Sequence, residues 1–120
     1  MHMRKTAIAM LAAFPLPALA SEKAAGITGM CVAMFPQVPP ERCTCATSAL
    51  LEVVSLSDTE FYSEIAAAYV AKHEGGVSLV AAWDAAVAEV SEKSGLAPTE
   101  LQKLMNPVGR AHRVAIKACE

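Results

Sequence analysis

The sequence predicts an all-α protein, a small four- to five-helix domain braced by two disulfides. Three observations carry that expectation. Apolar residues recur at three- and four-residue spacing along most of the chain, and no stretch shows the period-two alternation of a half-buried strand. Alanine, the strongest helix former, is abundant throughout. The 4 cysteines form an even set, with Cys31, Cys43 and Cys45 close together and Cys119 next to the last residue. Such a set in a short exported chain is the usual sign of a disulfide framework.

Export is read from residues 1–20. Arg4 and Lys5 precede an apolar run from Ala7 to Leu16, and Ala18-Leu19-Ala20 has the small-x-small pattern that a signal peptidase cuts. Pro15 and Pro17 favour an opening of the chain towards the extended form before the cut. The run is shorter than the roughly 20 apolar residues of a spanning helix. We therefore expect a cleaved secretory signal peptide at 1–20, a single helical domain at 21–120, and no transmembrane anchor after processing. The expected location is periplasmic or secreted. The whole chain has a net charge of −2, and losing Arg4 and Lys5 makes the rest more acidic. That balance lacks the concentrated basic field of a nucleic-acid binder.

The first helix is expected over Ser21–Phe35, with Ile27, Met30, Cys31 and Met34 on one face. Gly26 and Gly29 weaken its first turns. Pro36 and Pro39-Pro40 end it, and proline suits the first turn of a second helix reaching Val54 or Leu56. Cys43, Ala46, Leu50 and Val53 or Val54 share that helix's inward face, with Cys45, Ala49 and Glu52 to the side. Ser57 or Asp58 caps a third helix over Thr59–His73, Ser57 and Glu60 having capping-box spacing. Its inward residues are Phe61, Ile65, Ala68 and Tyr69, and Gly75-Gly76 stops it. A fourth helix over Ser78–Ser94 carries Val80, Trp83, Val87 and Val90, and Gly95 ends it. The last region opens at Ala97-Pro98-Thr99-Glu100, with Leu101, Leu104, Met105 and Val108 as an apolar stripe that Pro107 should interrupt or kink. Beyond it, Val108, His112, Ala115 and Cys119 share one line, and Arg110, Arg113 and Lys117 another.

Cys43 and Cys45 stand about 200° apart on a helix, so they face different partners. Four cysteines allow three pairings. The inward position of Cys43 gives a preference for Cys31–Cys45 with Cys43–Cys119.

Three constellations could carry chemistry. Cys43 and Cys45, with Met30, Met34 and His112, and with Met105 and His73 as helpers, supply the soft ligands that copper(I) favours. Arg110, Arg113 and Lys117 form a possible interaction surface for an acidic partner or a lipid headgroup. His112 with Asp58 or Asp84 could be drawn as a hydrolytic pair. Against these stand ordinary readings: paired structural cysteines, core methionines, a solvated helix face and a hydrogen-bonded structural histidine. The chain has no CxxC, CxxCH, GxSxG or HExxH, and we assign no catalytic residue and no cofactor. The sequence favours a non-enzymatic exported helical protein, a protein-interaction or accessory module, over a soft-metal (copper) binding protein or a small periplasmic enzyme. Its partner would be a protein reached through an apolar groove. Intact mass of the oxidised protein, with alkylation before reduction, should show no labelled thiol.

Overall fold

The structure, a computed structural model, describes residues 15–120, with side chains from Glu22 onward. Among the described residues it has five helices and no strand: α1 Pro15–Met34, α2 Pro40–Val53, α3 Leu56–Glu74, α4 Leu79–Ser94 and α5 Pro98–Ala118. The all-α architecture braced by two disulfides is as the sequence predicts. Residues 1–14, most of the predicted signal peptide, lie outside the described residues. α1 is helical from Pro15, the first described residue, so it covers more than the expected Ser21–Phe35 at its N-terminal side and runs unbroken through Ala18-Leu19-Ala20 and both glycines.

α3 is the central element, packing against α1, α4 and α5, while α2 bridges α1 and α5. The main core gathers Ile27 and Met30 of α1, Leu50 of α2, Ile65 and Tyr69 of α3, Val87 and Val90 of α4, and Leu101 and Met105 of α5. Fully buried Ala46, Ala66, Ala82 and Ala86 let the helices approach closely. The glycines of α1 serve the same purpose. A Cβ on Gly26 would lie 3.7 Å from the Ser63 carbonyl, and one on Gly29 would lie 3.9 Å from Val70.

Several boundaries differ from the sequence reading. The cap of α3 is Ser55, whose hydroxyl accepts from the Asp58 backbone N–H at 3.2 Å. The expected Ser57–Glu60 box is not the cap, because the helix already starts at Leu56 and both residues lie within it. The buried ridge of α3 is Tyr62, Ile65, Ala66 and Tyr69, and Phe61 and Ala68 are only partly buried. Contacts on two sides, from α1 and α4, broaden the inward face beyond one stripe. Val54 is packed and Val53 is 75 % exposed. Pro107 does not interrupt the last helix. α5 passes through it, and both Pro107 and Lys103, whose carbonyl loses its helical donor there, face solvent. Gly76 and Gly95 do take the left-handed conformation that ends α3 and α4, at φ 95° and 79°.

The bridges are Cys31–Cys43 and Cys45–Cys119, opposite to the preferred pairing. Cys43 does point inward, but what it meets there is the C-terminal turn of α1, so it bonds the equally buried Cys31. Cys45, on the exposed flank, meets the end of α5. These sulfurs centre a second, smaller core with Ala46, Ala115 and Ile116, flanked by Phe35 and Val38. Arg42 reinforces the junction, donating from Nε to the Ile116 carbonyl at 2.8 Å and from Nη2 to Glu120 at 3.0 Å. That places a positive charge on the C-terminal end of α5, where the helix dipole favours it. Thr28 and Thr47 hydrogen-bond across α1 and α2 at 2.7 Å. Lys72 bonds Glu89 between α3 and α4 at 3.0 Å and, by that hydrogen bond and its charge, holds the carboxyl below its ordinary range.

The two bridges close loops of very different length, with sequence separations of 12 and 74. Loop entropy then assigns about 3 kcal/mol to the first and about 4.5 kcal/mol to the second. Urea denaturation should show C45A/C119A to be the more destabilised of the two double variants, with C31A/C43A second.

Candidate functional site

The stripe of α5 that buries Val108 also brings His112 against α3, where it meets Tyr62. The Tyr62 hydroxyl lies 2.6 Å from His112 Nδ1, and the rings meet edge to face with centroids 5.5 Å apart. Burial pushes the Tyr62 phenol well above its ordinary range, an effect that the Arg113 charge opposes. The phenol therefore keeps its proton and donates it to Nδ1. Burial, aided by Arg113, pulls His112 from its ordinary 6.5 down to about 4. The imidazole is thus neutral at pH 7, with its own proton on Nε2. His112 is only 3 % exposed, and that Nε2 has no hydrogen-bond partner. A buried donor without an acceptor costs about 1–3 kcal/mol.

His112 and Tyr62 form part of the wall of a cleft of about 290 Å³ between the end of α1 and helices α3, α4 and α5. One rim is a side-chain relay: Trp83 Nε1 donates to Gln102 Oε1 at 2.9 Å, and Gln102 Nε2 to Asn106 Oδ1 at 2.8 Å. Arg110 and Arg113, three residues apart on α5 and therefore neighbours, form the other. Among the described residues neither arginine forms an ion pair. The Arg113 guanidinium lies over Gly109, its Nη1 3.7 Å from where a Cβ would stand.

Met34, Phe35 and Trp83 are shared with an adjoining hollow of about 340 Å³, completed by Tyr69, Leu79 and Val80. Its lining is almost wholly apolar. Tyr69 is part of its wall, and the buried Tyr69 hydroxyl is also without a partner. Val80, expected in the core, lies in the first turn of α4 and is 76 % exposed. The two hollows adjoin across Met34, Phe35 and Trp83 and are taken together as a composite cleft, charged at the α5 end and apolar at the α4 end.

The structure separates the other sequence-derived candidates. Arg110 and Arg113 border this cleft, but Lys117 joins Arg113 only in a shallower depression beside Arg42 and Glu120. Cys43 and Cys45 are locked into different disulfides, and no cysteine is free. Met30 is in the main core, while Met34 and His112 line the cleft. Among the described residues no three His, Cys, Asp or Glu side chains converge as metal ligands. Neither Asp58 nor Asp84 hydrogen-bonds His112, whose partner is a phenol. His73 lies at the end of α3, its Nδ1 3.2 Å from the Val77 carbonyl. Tyr62 and Gln102 were not anticipated, since nothing in local spacing marks a tyrosine or glutamine as part of a pair across helices. No family model matches the chain, and no curated protein or solved structure matches it.

The neutral state of His112 has a measurable consequence. Its folded value lies below the unfolded one, so the stability it contributes is complete above pH 6.5 and is lost as pH falls towards about 4. Replacing it by glutamine, which can still accept from Tyr62, should flatten that part of the profile. Urea melts of wild type and H112Q between pH 7 and pH 4 measure the difference.

Proposed function

We propose that the chain is a non-enzymatic binding module, exported to the periplasm or beyond after loss of residues 1–20. Its working surface is the composite cleft. One observation carries this reading: an apolar hollow adjoins, across Met34, Phe35 and Trp83, a polar one whose lining includes two arginines and a histidine with an unpartnered ring nitrogen. That is an assembled recognition surface, with a body-shaped part and a charge-reading part. The partner enters with its apolar portion against Trp83, whether it is a side chain of another exported protein or a small molecule.

Two features favour binding over hydrolysis. The His112 nitrogen that a carboxylate would orient in a catalytic pair is taken by Tyr62, and its low proton affinity makes it a weak general base. Both disulfides suit an oxidising compartment. No helix among the described residues is long and apolar enough to cross a membrane.

The test is titration of the oxidised protein with the neutral apolar dye N-phenyl-1-naphthylamine, read by dye emission and by Trp83, the 1 tryptophan of the chain. Saturable binding near Trp83 is expected. V80D puts a charge into the apolar wall and should weaken the dye about tenfold or more. Equal binding by V80D would place the dye elsewhere and remove the cleft as the working surface.

A further inference from the structure

The composite cleft also specifies the chemistry of what it holds. At the α5 end the groups are donors: the two exposed guanidiniums of Arg110 and Arg113, and the buried, unpartnered Nε2–H of His112 in the same wall. A buried N–H beside unpaired positive charge calls for an acceptor carrying negative charge. A carboxylate meets that demand best, because its two oxygens match the planar fork of a guanidinium while leaving a lone pair for the imidazole. The α4 end demands the opposite. Met34, Phe35, Leu79 and Val80 offer no hydrogen-bonding side chain, the Trp83 N–H is taken by Gln102 and the Tyr69 hydroxyl is a single buried group, so a peptide backbone laid there would leave most of its N–H and C=O groups without protein partners. A hydrocarbon chain has no such need.

The two ends are a fixed distance apart. Tyr62, which holds His112, and Tyr69, in the wall of the apolar hollow, are seven residues apart on α3. Their Cα atoms are therefore separated by about 10 Å along the helix axis. A ligand filling both ends is long as well as amphiphilic, and Trp83 lies between its head and its tail.

We propose that the cleft is a binding site for a free aliphatic monocarboxylate of medium chain length. Its carboxylate takes the His112 Nε2–H and the Arg113 and Arg110 guanidiniums, and its tail lies past Trp83 against Leu79 and Val80. The assignment rests on the reading of this cleft as the binding surface and adds the class of ligand. It also accounts for the unpartnered imidazole nitrogen, which a purely structural histidine leaves unexplained.

The experiment is displacement of N-phenyl-1-naphthylamine from the oxidised protein by dodecanoate, octanoate, dodecanol, acetate and a short apolar peptide with a free C-terminus. Dodecanoate is expected to displace the dye at concentrations about tenfold or more below those of dodecanol, the effect of one charge-assisted contact. Octanoate should be weaker than dodecanoate, and acetate inactive. In R110A/R113A, two surface changes that leave the core intact, dodecanoate and dodecanol should displace equally. Equal displacement by both in the wild type, or an unchanged preference in the arginine variant, would overturn the carboxylate assignment and leave the cleft as a site. Stronger displacement by the peptide than by dodecanoate would overturn it in favour of a polypeptide ligand. Failure of the dye to bind at all would instead remove the underlying reading of the cleft.

Discussion

The junction at which α1 ends, α2 begins and α5 ends holds the fold together, and two covalent bonds make it. Where the helices of the main core approach closely they do so over alanines, Ala66, Ala82 and Ala86, which permit close contact but remove little apolar area from water. Helices joined only by such contacts would be weakly ordered. The Cys31–Cys43 and Cys45–Cys119 bonds, with Arg42 bound to the end of α5, fix the relative positions of three helices at one end. The other two follow from them: α3 lies along α1, and α4 packs on α3. The cleft depends on this order, because Phe35 lies between the bridged Cys31 and the proline turn, while His112 precedes Cys119 by two turns.

The same junction explains why the polar half of the cleft is held in place. A terminal helix such as α5 would ordinarily fray near its end. Here the final turn carries a disulfide and accepts an arginine hydrogen bond, so Arg110, His112 and Arg113 stand on an anchored segment. The Trp83–Gln102–Asn106 relay joins α4 to α5 on the opposite rim. Both rims are thus fixed by bonds outside the space that a ligand would fill, which lowers the entropic cost of binding.

Legibility in the sequence followed the range of the interaction. The helices, the glycine stops after α3 and α4, and the inward line Val108–His112–Ala115 are local properties, set by the helical period and by φ preferences. Where the reading missed, a long-range contact decided. Cys43 was placed inward correctly, but its partner depended on which helix lies there. The ridge of α3 turned from Phe61 towards Tyr62 because α3 is packed on more than one side. Val80 keeps perfect core spacing and still faces solvent, since periodicity says nothing about which turns a neighbouring helix covers. Pro107 was tolerated because its orphaned carbonyl is on the wet side of α5. The site itself was half visible: the arginines and His112 stood out as residues, but Tyr62, Gln102 and the apolar hollow arise only when four segments meet.

The two bridges join the cysteines in the order in which they occur, first with second and third with fourth. Nothing is threaded or crossed. For a chain synthesised N-terminus first, Cys31 and Cys43 are available together long before Cys119 appears. The turn of α2 sets Cys43 and Cys45 on different sides, Cys43 against the end of α1 and Cys45 against the end of α5. Closure in chain order takes two oxidations, one for each bond, and no exchange of partners.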